Sequence, residues 1–194
     1  IGSDKYATLV DAIAAAQEGQ TIVLNRDVTM DYGAREAFAN NGATVTIDGN
    51  GHTLTLNQTN SDWSSFGLAN NTTVIFNNMT IEKTGYGDTN GAWNKHAIIF
   101  STPVEMNNVT VNNSMAVQAG ATLKNVTINE ANGYYGLWIN GNGQTVTVEG
   151  GSITATNGGR GIKIADQYID APAQVNLTVN GMTFSTAKKA AVLV

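Results

Sequence analysis

One short phrase recurs along this chain, and it dictates what the chain can become. Val104-Glu-Met-Asn-Asn-Val-Thr-Val111 returns as Val74-Ile-Phe-Asn-Asn-Met-Thr-Ile81, as Leu123-Lys-Asn-Val-Thr-Ile128, as Val146-Thr-Val-Glu-Gly-Gly-Ser-Ile153 and as Leu177-Thr-Val-Asn-Gly-Met-Thr-Phe184. In every copy an apolar residue is followed five positions later by another: Phe76 and Ile81, Met106 and Val111, Leu123 and Ile128, Val148 and Ile153, Val179 and Phe184. The period-two alternation within each half makes it a strand, and the Asn or Gly between the halves makes a corner. A unit this small cannot bury its own apolar face, so the copies must stack into a solenoid.

A further short strand follows each pair: Phe66-Gly-Leu68, His96-Ala-Ile-Ile-Phe100, Met115-Ala-Val117, Leu137-Trp-Ile139, Ile162-Lys-Ile164 and Val192-Leu-Val194. Three strands per coil predict a triangular cross-section. Corners of constant length combined with connections of variable length place function on the connections rather than the corners. At the shared corner Asn78, Asn108 and Asn125, with Gly150 and Gly181 as their counterparts, fall on one line. Asn tolerates a left-handed backbone and its amide bonds along a stack, so an asparagine ladder is expected there. The same corners contain Asn-x-Thr triplets such as Asn108-Val-Thr110, which the corner geometry and the alternation already account for.

The reading is one β-helix domain over 1–194, with a cap helix and first strand in 1–24 and repeating rungs in 44–194. Leu9, Ala12, Ile13 and Ala16 lie on one helical face within Tyr6–Gln17, after Ser3 or Asp4 as N-cap and before Gly19 as a stop. Such a helix is suited to covering the open end of a stack. Asp31–Asn41, with its Ala34–Phe38 helical turn, reads as an insertion, and the rungs begin at Val45 with the Asp48-Gly-Asn-Gly51 corner. Ala190–Val194 reads as a strand without a polar cap, so the natural protein is expected to continue beyond it.

Charge narrows the partners. Ten basic against fifteen acidic residues leave a net charge of -5, with no basic footprint for nucleic acid or an anionic membrane. No apolar run is long enough to insert in a bilayer. The absence of cysteine rules out disulfides and thiolate metal sites and is compatible with a secreted location.

With three strands per coil, its cap running into Gly-Gln-Thr-Ile-Val-Leu24 and its Ile-Asp-Gly-Asn-Gly-His52 opening rung, the chain resembles the right-handed parallel β-helix proteins of the pectate-lyase-like superfamily. The resemblance covers nearly the whole chain and implies an all-β fold, a single-stranded right-handed parallel β-helix of three-strand rungs. It leaves the chemistry open, because lyases, hydrolases, phage spikes and bacterial surface adhesins share this fold.

Parity on the third strands sends Leu137, Ile139, Ile162 and Ile164 inward and Trp138 and Lys163 outward, on neighbouring rungs roughly 4.8 Å apart. Arg160 adds a second cation. Trp63, Tyr86, Trp93, Tyr134 and Tyr135 gather in the connections entering these strands, and His96 opens one of them. Aromatic faces with polar edges suit stacking on sugar rings, so these nine residues form a candidate saccharide-binding face. The alternative is that the aromatics fold back over the solenoid as a local mini-core.

Arg160-Gly-Ile-Lys163 is similar to the Arg-Ile-Lys substrate motif of polygalacturonases, but the acid pair that such hydrolases need is missing: Asp48, Asp62, Asp88, Asp166 and Asp170 are scattered. His52 sits in a corner. Outward positions on the third strands carry no stacked carboxylates for Ca²⁺, the one cofactor a lyase reading would call for. The leading expectation is therefore a non-catalytic, secreted or cell-surface module, bacterial in character, that binds polysaccharide or a host or neighbour cell surface without a cofactor. A lyase or hydrolase acting on acidic polysaccharide is the alternative, and a rigid stalk the second. Ligand and oligomeric state stay open.

Overall fold

A computed structural model of the chain describes residues 4–33, 36–60, 65–85, 97–164, 174–186 and 191–193. A helix, α1 (Leu9–Ala15), precedes seven rungs. The first rung is β1 (Thr21–Val23), β2 (Val28–Tyr32) and β3 (Glu36–Phe38), and the second is β4 (Val45–Asp48), β5 (Thr53–Gln58) and β6 (Phe66–Leu68). In the third and fourth rungs the first two sides are continuous strands, β7 (Val74–Gly85) followed by β8 (Ala97–Phe100), and β9 (Val104–Val111) followed by β10 (Ser114–Val117). The fifth rung comprises β11 (Ala121–Lys124), β12 (Thr127–Glu130) and β13 (Tyr135–Ile139), and the sixth β14 (Gln144–Glu149), β15 (Ser152–Ala155) and β16 (Arg160–Ile164). The seventh is β17 (Val175–Asn180), β18 (Thr183–Thr186) and β19 (Val192–Leu193).

All the pairings are parallel and join successive rungs, so the molecule is a right-handed parallel β-helix. Inward positions stack on themselves. Ile47, Phe76, Met106, Leu123, Val148 and Val179 are consecutive register partners on the first face. Leu54, Ile81, Val111, Ile128, Ile153 and Phe184 line the second. Ile98, Met115, Leu137, Ile162 and Val192 line the third. Most of these side chains are fully buried, each contributing about 1.5–3 kcal/mol. Near the N-terminal end the core becomes aromatic: Phe66 lies 5.2 Å from Phe38, 5.9 Å from Phe76 and 6.0 Å from Phe100, all tilted or edge-on.

Helix α1 puts Leu9, Ala12 and Ile13 into the core and packs on β2 and β3, closing the first rung. Its boundaries differ from the sequence expectation. Thr8 is the N-cap, accepting a hydrogen bond from the Asp11 amide at 3.1 Å, because its extended backbone and short hydroxyl reach that donor. The helix ends at Ala15 with an extended Ala16, whose carbonyl is met by the Asn41 side chain at 3.3 Å. The stack also starts earlier than Val45. Asp31–Asn41 is no insertion: Asp31 and Tyr32 complete β2, and Glu36–Phe38 is a strand paired with Phe66–Leu68 rather than part of a helical turn. Pairing with the next rung overrides local helix propensity there.

Asn78, Asn108 and Asn125 have φ of 52°, 55° and 51°, and Gly150 and Gly181 follow at 69°. Asn125 Nδ2 donates to Asn108 Oδ1 at 2.8 Å, Asn108 Nδ2 to Asn78 Oδ1 at 3.3 Å, and Asn78 Nδ2 to Asp48 Oδ1 at 3.3 Å. A second ladder runs on the next face, from Asn129 to Asn112 to Glu82, each step 2.9 Å. Both end on a carboxylate on the N-terminal side. A carboxylate only accepts, so it forces the first amide to donate toward it, and every later amide follows.

Candidate functional site

On the third face β13 and β16 lie side by side with Trp138 opposite Lys163 and Tyr135 opposite Arg160. Strict alternation from Leu137 and Ile162 would turn Tyr135 and Arg160 inward. Two glycines in register prevent this. A Cβ on Gly136 would stand 2.3 Å from Ile153 in the core, and one on Gly161 would stand 2.7 Å from Phe184, so both glycines face the interior beside Leu137 and Ile162. The alternation slips by one residue there, and Tyr135 and Arg160 come out on the side of Trp138 and Lys163.

The four side chains interlock. Lys163 Nζ lies 4.8 Å from the centroid of the Trp138 ring and 4.8 Å from that of Tyr135. The Arg160 guanidinium stands 5.3 Å from the Tyr135 ring centroid and donates from Nη1 to the Tyr135 hydroxyl at 2.8 Å. Tyr135 and Trp138 are 6.3 Å apart and tilted by 50°. Tyr134, Tyr135, Arg160 and Lys163 are half-buried, whereas Trp138 is only 5% exposed. The indole packs with Ala97, Ile99, Ala116 and Tyr135 in a small apolar cluster outside the main core. Trp138 thus points away from the lumen and is nonetheless covered: it floors the site, and the tyrosines and cations form its rim. The cleft beside it, lined by Ser114, Tyr134, Tyr135 and Trp138, measures about 10 Å³, room for roughly one water.

A residue outside the sequence-derived candidates holds this rim in place. Glu130 is 1% exposed, and its carboxylate accepts from the backbone amides of Asn132 at 2.5 Å, Gly133 at 3.1 Å and Tyr134 at 3.0 Å. The turn after it is braced from the next rung, with Arg160 N donating to the Tyr134 carbonyl at 2.7 Å and Asn157 Nδ2 to the Ala131 carbonyl at 2.6 Å. The signal was legible: Glu130 has the parity of buried Ile128, and a carboxylate at an inward position must find donors.

Trp63, Tyr86, Trp93 and His96 lie outside the described residues. His52 is elsewhere, in the opening corner, with Nδ1 3.4 Å from Asp27 Oδ1. Asp48 is committed to the amide of Asn50 and the side chain of Asn78. Among the described residues no group of three or more His, Cys, Asp or Glu side chains could hold a metal ion, and no helix is long and apolar enough to cross a membrane. A cavity of about 440 Å³ lies between the segment before α1 and the first rung, lined by Tyr6, Leu9, Ile22, Val23, Arg26 and Asp27 among others, and contains none of the candidate residues.

Residues 4–93 match a family model described as "Putative pectate lyase-like adhesive domain". The match is a similarity of the N-terminal part of the chain, and the fold that contains it is a parallel β-helix. The match spans the cap helix and the opening rungs and stops before the third-face cluster of β13 and β16. No curated protein and no solved structure matches the chain.

Proposed function

We propose that this chain is a non-catalytic adhesive module, secreted or displayed at a cell surface, that engages carbohydrate through the rim formed by Tyr134, Tyr135, Arg160 and Lys163. The observation that carries this reading is the juxtaposition of two cations and Tyr135 over a packed indole on neighbouring strands, with Tyr134 lining the same cleft. Half-exposed phenol rings offer apolar faces to the C–H side of a sugar, and the guanidinium, ammonium and phenol groups bond its oxygens. Arg160 is already oriented by the Tyr135 hydroxyl, so little freedom is lost when a ligand binds. The similarity of residues 4–93 to an adhesive domain supports a role at surfaces.

A broad glycan array with wild type, Tyr135→Ala and Lys163→Ala tests it. Wild type is expected to retain a defined set of glycans, and each variant to lose about tenfold in affinity for that set. No ligand for wild type would remove the carbohydrate reading. Incubation with polygalacturonate, alginate and chondroitin separates adhesion from catalysis: unsaturated products or new reducing ends that vanish in Lys163→Ala would make the chain an enzyme instead.

A further inference from the structure

The second face carries a straight row of hydroxyls. Thr53, Thr80, Thr110, Thr127, Ser152 and Thr183 are register partners on consecutive rungs. Each precedes an inward residue of the core, so each side chain is turned outward, half-buried in the first five rungs and exposed in the last. At roughly 4.8 Å per rung the row runs about 24 Å parallel to the solenoid axis.

The columns flanking this row are satisfied within the protein. On one side Asn125, Asn108 and Asn78 bond down to Asp48, and on the other Asn129 and Asn112 bond down to Glu82. The six hydroxyls between them have no side-chain hydrogen-bond partner among the described residues. A hydroxyl both donates and accepts, so the row presents an uncharged donor and acceptor at six successive rungs, all at one pitch, on strands held by pairing between rungs. The row and its two flanking columns hold no lysine or arginine; Asp48 and Glu82 accept from the ladder amides, and Asp27, which ends the row on the N-terminal side, accepts from the Thr53 amide and faces His52 at 3.4 Å, so an anionic chain would gain no charge pairing here. The complementary ligand is linear, uncharged and hydroxyl-bearing, with a repeat close to the rung spacing.

We propose that the hydroxyl row of the second face binds an extended neutral polysaccharide, a β-linked glucan or N-acetylaminosugar chain lying along the solenoid axis. This site is separate from the rim of Tyr134, Tyr135, Arg160 and Lys163 and does not depend on it. Because the row is rigid, binding costs the protein little ordering, and weak hydrogen bonds repeated along one chain add up.

The test is retention of the protein on cellulose and on chitin, and affinity electrophoresis in soluble mixed-linkage β-glucan. The central variant is the triple Thr80→Val, Thr110→Val, Thr127→Val, which removes three oxygens while keeping branched side chains suited to strands. Wild type is expected to bind at least one of these polymers with little dependence on salt, the triple variant about tenfold more weakly, and Thr122→Val, which removes an outward hydroxyl of the first face, as wild type. Should the triple variant fold poorly by circular dichroism, the single variants are each expected to weaken binding roughly two- to threefold. The proposal is overturned if wild type binds none of the polymers, if the variants of the row bind as well as wild type, if salt abolishes binding, or if Thr122→Val weakens it as much as the triple variant does. Shaping of ice crystals without retention on any polymer would assign the row to ordered water and overturn it equally.

Discussion

Lys163 Nζ sits 4.8 Å from the ring of Trp138, its register partner on the neighbouring strand, and the same distance from the ring of Tyr135. One ammonium is shared by two aromatic faces, carried on a four-carbon stem of the kind that covers apolar surface. Lys163→Ala removes both, at an expected cost of about 1 kcal/mol, and uncovers the indole. Urea unfolding should show the loss, and the tryptophan emission should shift to the red. Lys163→Met keeps the stem and separates the two effects: its emission is expected to stay close to wild type while part of the stability is still lost.

Glu130 accepts three backbone amides in the turn that presents Tyr134. Glu130→Ala leaves these donors unpaired or forces the turn open, an expected cost of about 2–3 kcal/mol by urea unfolding. Limited proteolysis should then cut near Asn132–Tyr134, where wild type resists. Glu130→Gln is expected to fall between the two, since one of its two polar atoms is a donor facing donors.

Asn108 combines a left-handed φ of 55° with a place in the middle of the corner ladder. Alanine loses the hydrogen bonds and pays for the backbone conformation, whereas glycine loses only the bonds. Asn108→Ala is therefore expected to be less stable than Asn108→Gly by about 1 kcal/mol. Equal stability of the two variants would show that the conformational cost is absent.

The Tyr32 hydroxyl is buried in the first rung without a hydrogen-bond partner among the described residues, and burial pushes its pKa well above the ordinary phenol value. The unfolded chain releases that proton near pH 10 while the native state keeps it, so the native state binds more protons and this site loses stability as pH rises above about 10. Tyr32→Phe should flatten that alkaline loss relative to wild type and be neutral or stabilising by up to about 1 kcal/mol at pH 7, because it removes an unpaired polar atom.

Most of the stack was legible because its physics is local and repeated. Period-two alternation named the inward residues, the five-residue advance placed the corners, and Asn or Gly at Asn78, Asn108, Asn125, Gly150 and Gly181 marked the left-handed position. The first strand was read, but the third side of its rung was missed because Glu36–Phe38 has no alternation long enough to outweigh a helix-compatible composition, and only its partner strand Phe66–Leu68 makes it a strand. The outward direction of Trp138 and Lys163 followed from parity, but the burial of Trp138 did not. That burial depends on Ala97, Ile99 and Ala116, which come from other rungs and meet the indole only once the register is set.

The amino-acid sequence alone determined the solenoid, its three faces, its asparagine corners and the pairing of Trp138 with Lys163 on one side, because each follows from a residue's place in a short period. Only the tertiary structure decided which rung stacks on which, that Gly136 and Gly161 coincide and turn Tyr135 and Arg160 outward, that Glu130 closes on the turn before them, and that six hydroxyls fall into one row. The reason is that connections of unequal length separate these residues along the chain, so their alignment is set by backbone pairing between rungs and not by any spacing within them.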